Sequence, residues 1–127
     1  MRILLLAMLG LTLMPATAVA VDLDHGRSVF NKCRVCHQVG ETAKNSVGPI
    51  LNGVIGRPAA SVESFGRYSQ AMKDAKLTWD EATLDQYLAS PRAVVPGTAM
   101  SFAGLPSAED RADLIAWLKQ NAPAPAQ

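Results

Sequence analysis

The sequence is poor in several features that other classes of protein need. Of its 127 residues only two are cysteines, Cys33 and Cys36, so no second cysteine pair exists to complete a zinc site. Its 12 basic and 11 acidic residues nearly cancel, so it lacks the basic face that nucleic-acid binding requires and the clustered lysines that attract anionic lipid. No internal repeat, charge block or strand-like alternation is found along the chain.

The first twenty residues have the composition of a secretory leader. Arg2 supplies a positive start, and residues 3–14 form an apolar stretch of twelve residues, too short for an ordinary transmembrane helix. Pro15 breaks this stretch, and Ala18-Val19-Ala20 has the small-x-small form of a cleavage site. We therefore expect residues 1–20 to be a signal peptide that is removed on export to the periplasm, with an uncleaved anchor as the alternative. The remaining 107 residues suffice for one compact domain.

Both cysteines belong to the run Cys33-Arg34-Val35-Cys36-His37. A C-x-x-C-H run is typical of covalent attachment of c-type haem, because two thiols one turn apart can add to the two vinyl groups of the porphyrin. The histidine that follows can bind the iron through an imidazole nitrogen. A redox-active disulfide is the alternative, but it needs no histidine and usually occurs beside a βαβ pattern. The run therefore predicts one haem c per chain, bound through Cys33 and Cys36.

Three segments of the mature chain have helical patterns. The first begins near Asp22 or Asp24 and carries Gly26, Phe30 and Cys33 along one face, so it is expected to end at the haem attachment run.

The later helices have clearer boundaries. The second is predicted to start at a T-x-x-E capping box over residues 78–81 and to stop at Ser90-Pro91. The third opens at Ser107, with acidic residues in its first turn, and ends around Asn121. A shorter helical stretch is expected at residues 69–74. The two connections over residues 38–67 and 91–106 are long for so small a domain, which indicates that they wrap a large apolar cofactor.

The second axial position of the iron decides between functional classes. A histidine or methionine there closes the iron for electron transfer, whereas an open position permits gas binding or peroxide chemistry. His25 lies only eight residues before Cys33, too close to cross the haem plane, and is interpreted as a solvent-exposed surface histidine. Removal of the leader leaves Met72 and Met100 as the only methionines. Met100 lies in a Pro- and Gly-containing loop that could cross to the other face, while Met72 is interpreted as packing near the ring.

Longer runs of sequence extend this pattern over nearly the whole mature chain. They are Gly48-Pro49-Ile50-Leu51-Asn52-Gly53-Val54-Ile55-Gly56-Arg57, Tyr68-Ser69-Gln70-Ala71-Met72-Lys73, Leu77-Thr78-Trp79, Tyr87-Leu88-Ala89-Ser90-Pro91, and Val95-Pro96-Gly97-Thr98-Ala99-Met100 with Phe102-Ala103-Gly104. In these runs the chain resembles a class I cytochrome c, close to the mitochondrial cytochrome c and bacterial cytochrome c2 and c550 group.

The resemblance implies an all-α fold. Residues 21–121 would form a small single-domain cytochrome c fold, with three main helices plus short ones and long loops wrapped around a covalently bound haem. Residues 122–127 would be a disordered Pro/Ala tail. The resemblance also implies that Gly26 and Phe30 pack against Trp117, where the terminal helices cross.

The resemblance further implies the iron ligands. His37 would be the proximal ligand and Met100 the distal one. The carbonyl of Pro49 would accept a hydrogen bond from the other nitrogen of His37, which orients the imidazole and raises its donor strength.

Five further residues are assigned to the haem pocket by the same resemblance. Arg57, Tyr68 and Trp79 would hold the inner propionate, since a buried carboxylate needs a cation or donors to remain charged. Tyr87 would hydrogen-bond the methionine sulfur, and Phe102 would lie beside the exposed haem edge. Without the resemblance, Arg57 could equally be a surface cation, and Trp79 and Tyr87 ordinary core aromatics.

The resemblance implies a soluble, monomeric periplasmic electron carrier rather than an enzyme, without a small-molecule substrate. It would pass electrons from a membrane donor complex or periplasmic dehydrogenase to a terminal oxidase or reductase, and its redox partners would dock transiently at the haem edge. Lys32 and Arg92 remain near that edge, but Ala93 and Ala99 occupy positions where the mitochondrial pattern often has lysine. Electrostatic steering should therefore be weak.

Two other functions stay open at this point. One is a haem protein with an open or labile distal site that acts in peroxide or NO chemistry or in sensing. The other is an electron-accepting subunit dedicated to one periplasmic dehydrogenase or oxidase.

Overall fold

The computed structural model describes residues 18–124, which contain five helices and no strand. The helices are α1 (Leu23–Phe30), α2 (Gln70–Asp74), α3 (Glu81–Ala89), α4 (Pro91–Val94) and α5 (Ala108–Asn121). The all-α prediction is therefore confirmed. In the described part of the chain, no helix has both the length and the apolar character needed to cross a membrane. The predicted leader falls almost entirely on residues 1–17, outside the described range.

Helix α1 starts where the sequence predicts but ends earlier. Asp22 is its N-cap, and the Asp22 carboxylate accepts a hydrogen bond from the His25 amide at 3.0 Å. Beyond Phe30 the bonding changes, because the Cys33 amide donates to the Phe30 carbonyl, three residues back, at 2.8 Å. The prediction that the helix reaches Cys33 is wrong, since tight turns replace its last turn and carry the chain through Cys36.

Helix α3 is capped by a different residue from the predicted one. Asp80 is the N-cap, and its carboxylate accepts a hydrogen bond from the Thr83 amide at 2.7 Å. The predicted capping box at Thr78 is wrong, because Thr78 forms an isolated bridge with Pro58 and so belongs to the preceding loop.

The short helices have their own sequence signals. Ser69 caps α2 by accepting a hydrogen bond from the Met72 amide at 3.0 Å, so the helical stretch predicted at residues 69–74 is confirmed. Pro91 ends α3 and also begins α4, since proline suits the first helical position, where no amide hydrogen is needed. The segment 91–106, expected to be loop throughout, therefore contains one turn of helix.

The terminal helices α1 and α5 cross at Gly26. A Cβ atom on Gly26 would lie 2.7 Å from the carbonyl carbon of Asp113 and 2.9 Å from the Cβ of Trp117, so a side chain would force the helices apart. Beside this contact the rings of Phe30 and Trp117 pack with their centroids 4.6 Å apart. The predicted packing of Gly26 and Phe30 against Trp117 is confirmed.

The apolar core extends from α1, α3 and α5 to the loops and includes Ala122. The sequence placed Ala122 in a disordered tail, but it is only 4% exposed and packs in the core. Its carbonyl accepts a hydrogen bond from the Gly53 amide at 2.8 Å, which ties the long first loop to the end of α5. The tail predicted over residues 122–127 can therefore start only after Ala122.

Candidate haem site

The two cysteines lie in the turns that follow α1, where both are half-buried and are not joined by a disulfide. Burial raises the pKa of the Cys33 thiol to about 11, against a smaller opposing effect of Lys32. A redox dithiol needs the reverse, because its attacking sulfur is activated by a lowered pKa, often at a helix N-terminus. The environment of Cys33 therefore disfavours the interpretation of the pair as a redox-active disulfide.

His37 is oriented by the loop that lies against it. Its Nδ1 lies 2.7 Å from the carbonyl oxygen of Pro49, which is the hydrogen bond that the sequence resemblance implied. Burial lowers the pKa of His37, partly offset by this hydrogen bond. A neutral imidazole that donates through Nδ1–H has the lone pair of Nε2 available for a metal ion.

Gly48 is a site residue to which the sequence analysis gave no role. Its amide donates to the Cys36 carbonyl at 2.9 Å, so the loop runs directly along the C-x-x-C-H segment. A Cβ atom on Gly48 would lie 2.7 Å from Nδ1 and 2.8 Å from Nε2 of His37. The imidazole can therefore lie directly against the backbone of Gly48 only because this residue has no side chain. The sequence signal for this role was the glycine just before Pro49, because glycine is often used where the backbone approaches another group closely.

Arg57 is half-buried and held by the first loop. Its Nη1 donates to the Asn52 carbonyl at 2.7 Å and its Nη2 to the Ile50 carbonyl at 2.9 Å. Burial lowers the pKa of Arg57, although a guanidinium stays charged. The alternative of an ordinary solvent-exposed cation does not describe this residue.

Trp79 and Tyr68 lie near Arg57 in different ways. The Trp79 amide donates to the Arg57 carbonyl at 3.0 Å, and the Trp79 side chain is buried. The Tyr68 hydroxyl accepts a hydrogen bond from the Val62 amide at 3.2 Å, which leaves its own hydrogen free to donate elsewhere. The Arg57 and Tyr68 side chains are thus held by backbone groups of the first loop, and Trp79 is tied to Arg57 through the backbone.

Met100 is placed beside Tyr87, as the resemblance implied. The Tyr87 hydroxyl lies 4.0 Å from the Met100 sulfur and 3.0 Å from the Thr98 hydroxyl. Thr98 is a second residue to which the sequence analysis gave no role. It lies two positions before the methionine, and its Oγ1 accepts from the Met100 amide at 3.4 Å. Thr98 therefore fixes both the Tyr87 phenol beside the sulfur and the backbone of Met100, which carries the sulfur.

Several apolar side chains, including that of Met100, pack against the core while staying partly exposed. Met72, Met100, Phe102 and Cys33 pack against the buried core without being fully covered. The same is true of residues from the surrounding loops and helices, namely Val39, Leu51, Ile55, Ala59, Ala71, Ala75, Leu77 and Val94. An apolar macrocycle would take apolar side chains of this kind out of water. Together with two cysteines, an imidazole and a thioether, these residues fit a covalently attached haem.

His25 lies at the surface, as the sequence predicts, with its side chain 39% exposed, but it is also paired with carboxylates of α5. Its Nδ1 lies 2.8 Å from Oδ2 of Asp113, and its Nε2 lies 3.4 Å from Oδ1 of Asp110. The hydrogen bond to Asp113 raises the pKa of His25 and lowers the pKa of Asp113. Its partners lie on α5, and Asp113 is 88 residues away in the chain, a distance at which sequence patterns give no information about contacts.

The chain is similar to several named cytochromes. It is 53% identical over 120 residues to a cytochrome c2 from Rhodomicrobium vannielii, covering 93% of this chain and 95% of that protein. It is 52% identical over 101 residues to cytochrome c-554 from Methylosinus trichosporium, covering 80% of this chain and 76% of the relative. The solved structure of cytochrome cH from Methylobacterium extorquens matches with a TM-score of 0.72 and 41% identity, over 78% of this chain and 98% of that one. No family model matches the chain.

These similarities and the geometry define the class of the protein as a haem-carrying electron-transfer protein. The chain belongs to the class I c-type cytochromes. Its cofactor is haem c, attached covalently through the two cysteines of the C-x-x-C-H run.

Proposed function

We propose that this cytochrome is a soluble periplasmic carrier of single electrons whose haem iron is bound by His37 and Met100. The observation that carries the proposal is the placement of the Met100 sulfur 4.0 Å from a phenol that is itself fixed by Thr98. A thioether fixed in this way would close the second axial position, and a closed iron is suited to electron transfer rather than to substrate chemistry. Relatives named cytochrome c2 support the same conclusion.

His37 has the support expected of an iron ligand. Its Nδ1–H donates to the Pro49 carbonyl, which fixes the tautomer and the ring orientation and makes Nε2 a stronger donor. Gly48 lies against the ring without a side chain, so the imidazole can take only a narrow range of positions. The protein would thus present the same nitrogen at the same place before and after each electron transfer.

The inner propionate is assigned to Arg57, Tyr68 and Trp79. Two of the five N–H groups of the Arg57 guanidinium bond to backbone carbonyls, which leaves others to donate to a carboxylate. Tyr68 can donate its hydroxyl hydrogen, since its oxygen accepts from the Val62 amide. A charged propionate in a partly buried place would need such donors, because an unpaired buried charge is costly.

The bound haem supplies the one-electron chemistry, and the polypeptide orients the cofactor, excludes water and leaves one edge reachable. Phe102 stays partly exposed beside Met100 and is assigned to that edge. Docking partners are proposed to be redox proteins, a donor such as a membrane complex or periplasmic dehydrogenase and an acceptor such as a terminal oxidase or reductase. The mature chain would act as a monomer and would not be an enzyme.

Replacement of the distal ligand tests this proposal. In haem-loaded Met100→Ala protein, we expect the reduction potential to fall, since a thioether ligand favours ferrous iron, and we expect carbon monoxide to bind the reduced form. Met72→Ala is the matched control, because it removes the other partly buried thioether that packs against the core and should change neither property. A Met100→Ala protein that keeps the wild-type potential and excludes carbon monoxide would mean that another group closes the iron, and would contradict the assignment of Met100.

A further inference from the structure

A second group of metal-binding side chains lies at the crossing of α1 and α5. It consists of His25 on α1 with Glu109 and Asp113 on α5, and one donor atom from each lies within 4.8 Å of the others. None of the three takes part in the haem site. Asp113 is only 3% exposed, the His25 side chain is 39% exposed, and Glu109 is exposed, so the group opens to solvent on one side.

We propose that His25, Glu109 and Asp113 bind a divalent transition-metal ion such as Zn²⁺. One imidazole nitrogen and two carboxylate oxygens form a three-ligand set of a kind that zinc accepts, with water in the fourth position. Tetrahedral bonds of about 2.0–2.2 Å place ligand atoms roughly 3.4 Å apart. Glu109 must therefore move closer by up to about 1.4 Å, which its exposed side chain is free to do, while the 2.8 Å between His25 and Asp113 must widen by about 0.6 Å.

The surroundings of the ligands have the arrangement that metal sites use. Asp110 places Oδ1 3.4 Å from Nε2 of His25, and a carboxylate on the outer nitrogen is the usual partner of a metal-bound histidine. The Asp22 amide donates to Oδ1 of Asp113 at 2.9 Å, so that Oδ2 is turned toward His25. A metal ion would take the place of the hydrogen now shared between His25 and Asp113.

The charges around the group favour a cation. Glu109, Asp110 and Asp113 all face His25 from α5, and Asp22 caps the end of α1 nearby. Lys32 is the cation that approaches them, and its Nζ lies 4.0 Å from Asp110. A bound ion would link α1 to α5 directly and so would brace the helix that leads into the haem attachment run.

Zinc titration of the mature, haem-loaded protein tests the proposal. After treatment with a chelator and its removal, calorimetry with zinc chloride should show saturable binding of one ion per chain. The unfolding temperature should rise with zinc, because a ligand that binds only the folded state stabilises it. The visible haem spectrum should not change, since neither His37 nor Met100 belongs to the group.

Two variants and a control locate the ion. Glu109→Gln keeps the size of an exposed side chain, so it should fold normally, yet it should weaken zinc binding by roughly tenfold or more, as even outer partners of a metal are worth about 10- to 100-fold. His25→Gln should do the same. Glu63→Gln, in the first loop, removes an equal charge and should leave the affinity unchanged. Absence of saturable binding, or wild-type affinity in Glu109→Gln, would overturn the proposal.

Discussion

Substitution of alanine for Gly48 probes the contact that positions His37. The added Cβ would lie 2.7 Å from Nδ1 of the imidazole, whereas an ordinary contact is 3.4–4 Å, so the loop and the ring must separate by about 1 Å. The backbone of Gly48 does not have a positive φ, so alanine introduces this overlap without backbone strain. The effect of the substitution can therefore be assigned to the ring contact.

The size of the effect of Gly48→Ala follows from the contacts that are lost when the loop and the ring separate. Forcing an extra methyl into a packed site costs about 1–3 kcal/mol. Moving the ring by about 1 Å would also lengthen the 2.7 Å bond to Pro49 beyond hydrogen-bonding range, for a further ~0.5–1.5 kcal/mol. Loss of that bond weakens the imidazole as a donor to ferric iron more than to ferrous iron, so the potential should rise. If the affinity of the imidazole for ferric iron falls tenfold more than its affinity for ferrous iron, the potential rises by about 59 mV for this one-electron couple.

The assay compares Gly48→Ala with Gly66→Ala in haem-loaded protein. Gly66 is a suitable control, because a Cβ added there meets no atom within 4 Å and its φ is not positive. Guanidinium unfolding and a potentiometric titration should show lower stability and a raised potential for Gly48→Ala alone. If Gly48→Ala matches Gly66→Ala in both measurements, the reasoning that a bare backbone positions His37 is refuted.

Three further predictions address the helix crossing, the histidine and the docking surface. Gly26→Ala should lower the free energy of unfolding by about 1–3 kcal/mol, because its Cβ would meet Asp113 and Trp117, and an unchanged urea midpoint would contradict this. The hydrogen bond between His25 and Asp113 raises the pKa of His25 above 6.5 and lowers the pKa of Asp113 below 3.8. In buffer with a chelator, it should therefore stabilise the fold fully between pH 3.8 and pH 6.5. That stability is lost as pH rises through the raised pKa of His25 or falls through the lowered pKa of Asp113. The stability advantage of wild type over His25→Gln in urea unfolding should therefore shrink as pH rises above this window, and an advantage that grows there would oppose the assignment. Electron transfer to a partner should slow only modestly with added salt in stopped-flow mixing, since residues 21–127 carry equal numbers of acidic and basic residues, whereas a steep loss of rate would show strong steering.

Local sequence signals predicted the parts of this fold that depend on neighbouring residues. The short helix at residues 69–74, the start of α5 after Ser107 and its end near Asn121 all depend on side chains a few positions apart, and the structure has them as expected. The contact of Gly26 with Trp117 and the bond from His37 to Pro49 came from the family resemblance and are also present.

The errors occurred where two local signals compete or where the partner is distant. Thr78 and Asp80 are both good caps, and the bridge from Thr78 to Pro58, twenty residues away, gave the role to Asp80. Pro91 both terminates a helix and begins one, and only the path of the chain decides which follows. His25 meets its partner Asp113 through tertiary packing alone, so its ion pair had no counterpart in the sequence pattern.

The same reasoning explains the site residues that were missed. Gly48 and Thr98 both lie within the recognised runs, but their roles are to leave room for a ring and to fix a phenol, and neither role has a spacing signature. Such roles depend on which loop lies against which side chain.

The most direct test of the account is the visible spectrum of the periplasmically matured protein, oxidised and reduced, with and without carbon monoxide. Ligation by His37 and Met100 predicts sharp low-spin bands in the ferrous form, a weak red sulfur-to-iron band in the ferric form, and no change on adding carbon monoxide. High-spin bands or ready binding of carbon monoxide would show an open iron, which would contradict the carrier function and favour peroxide, NO or sensing chemistry.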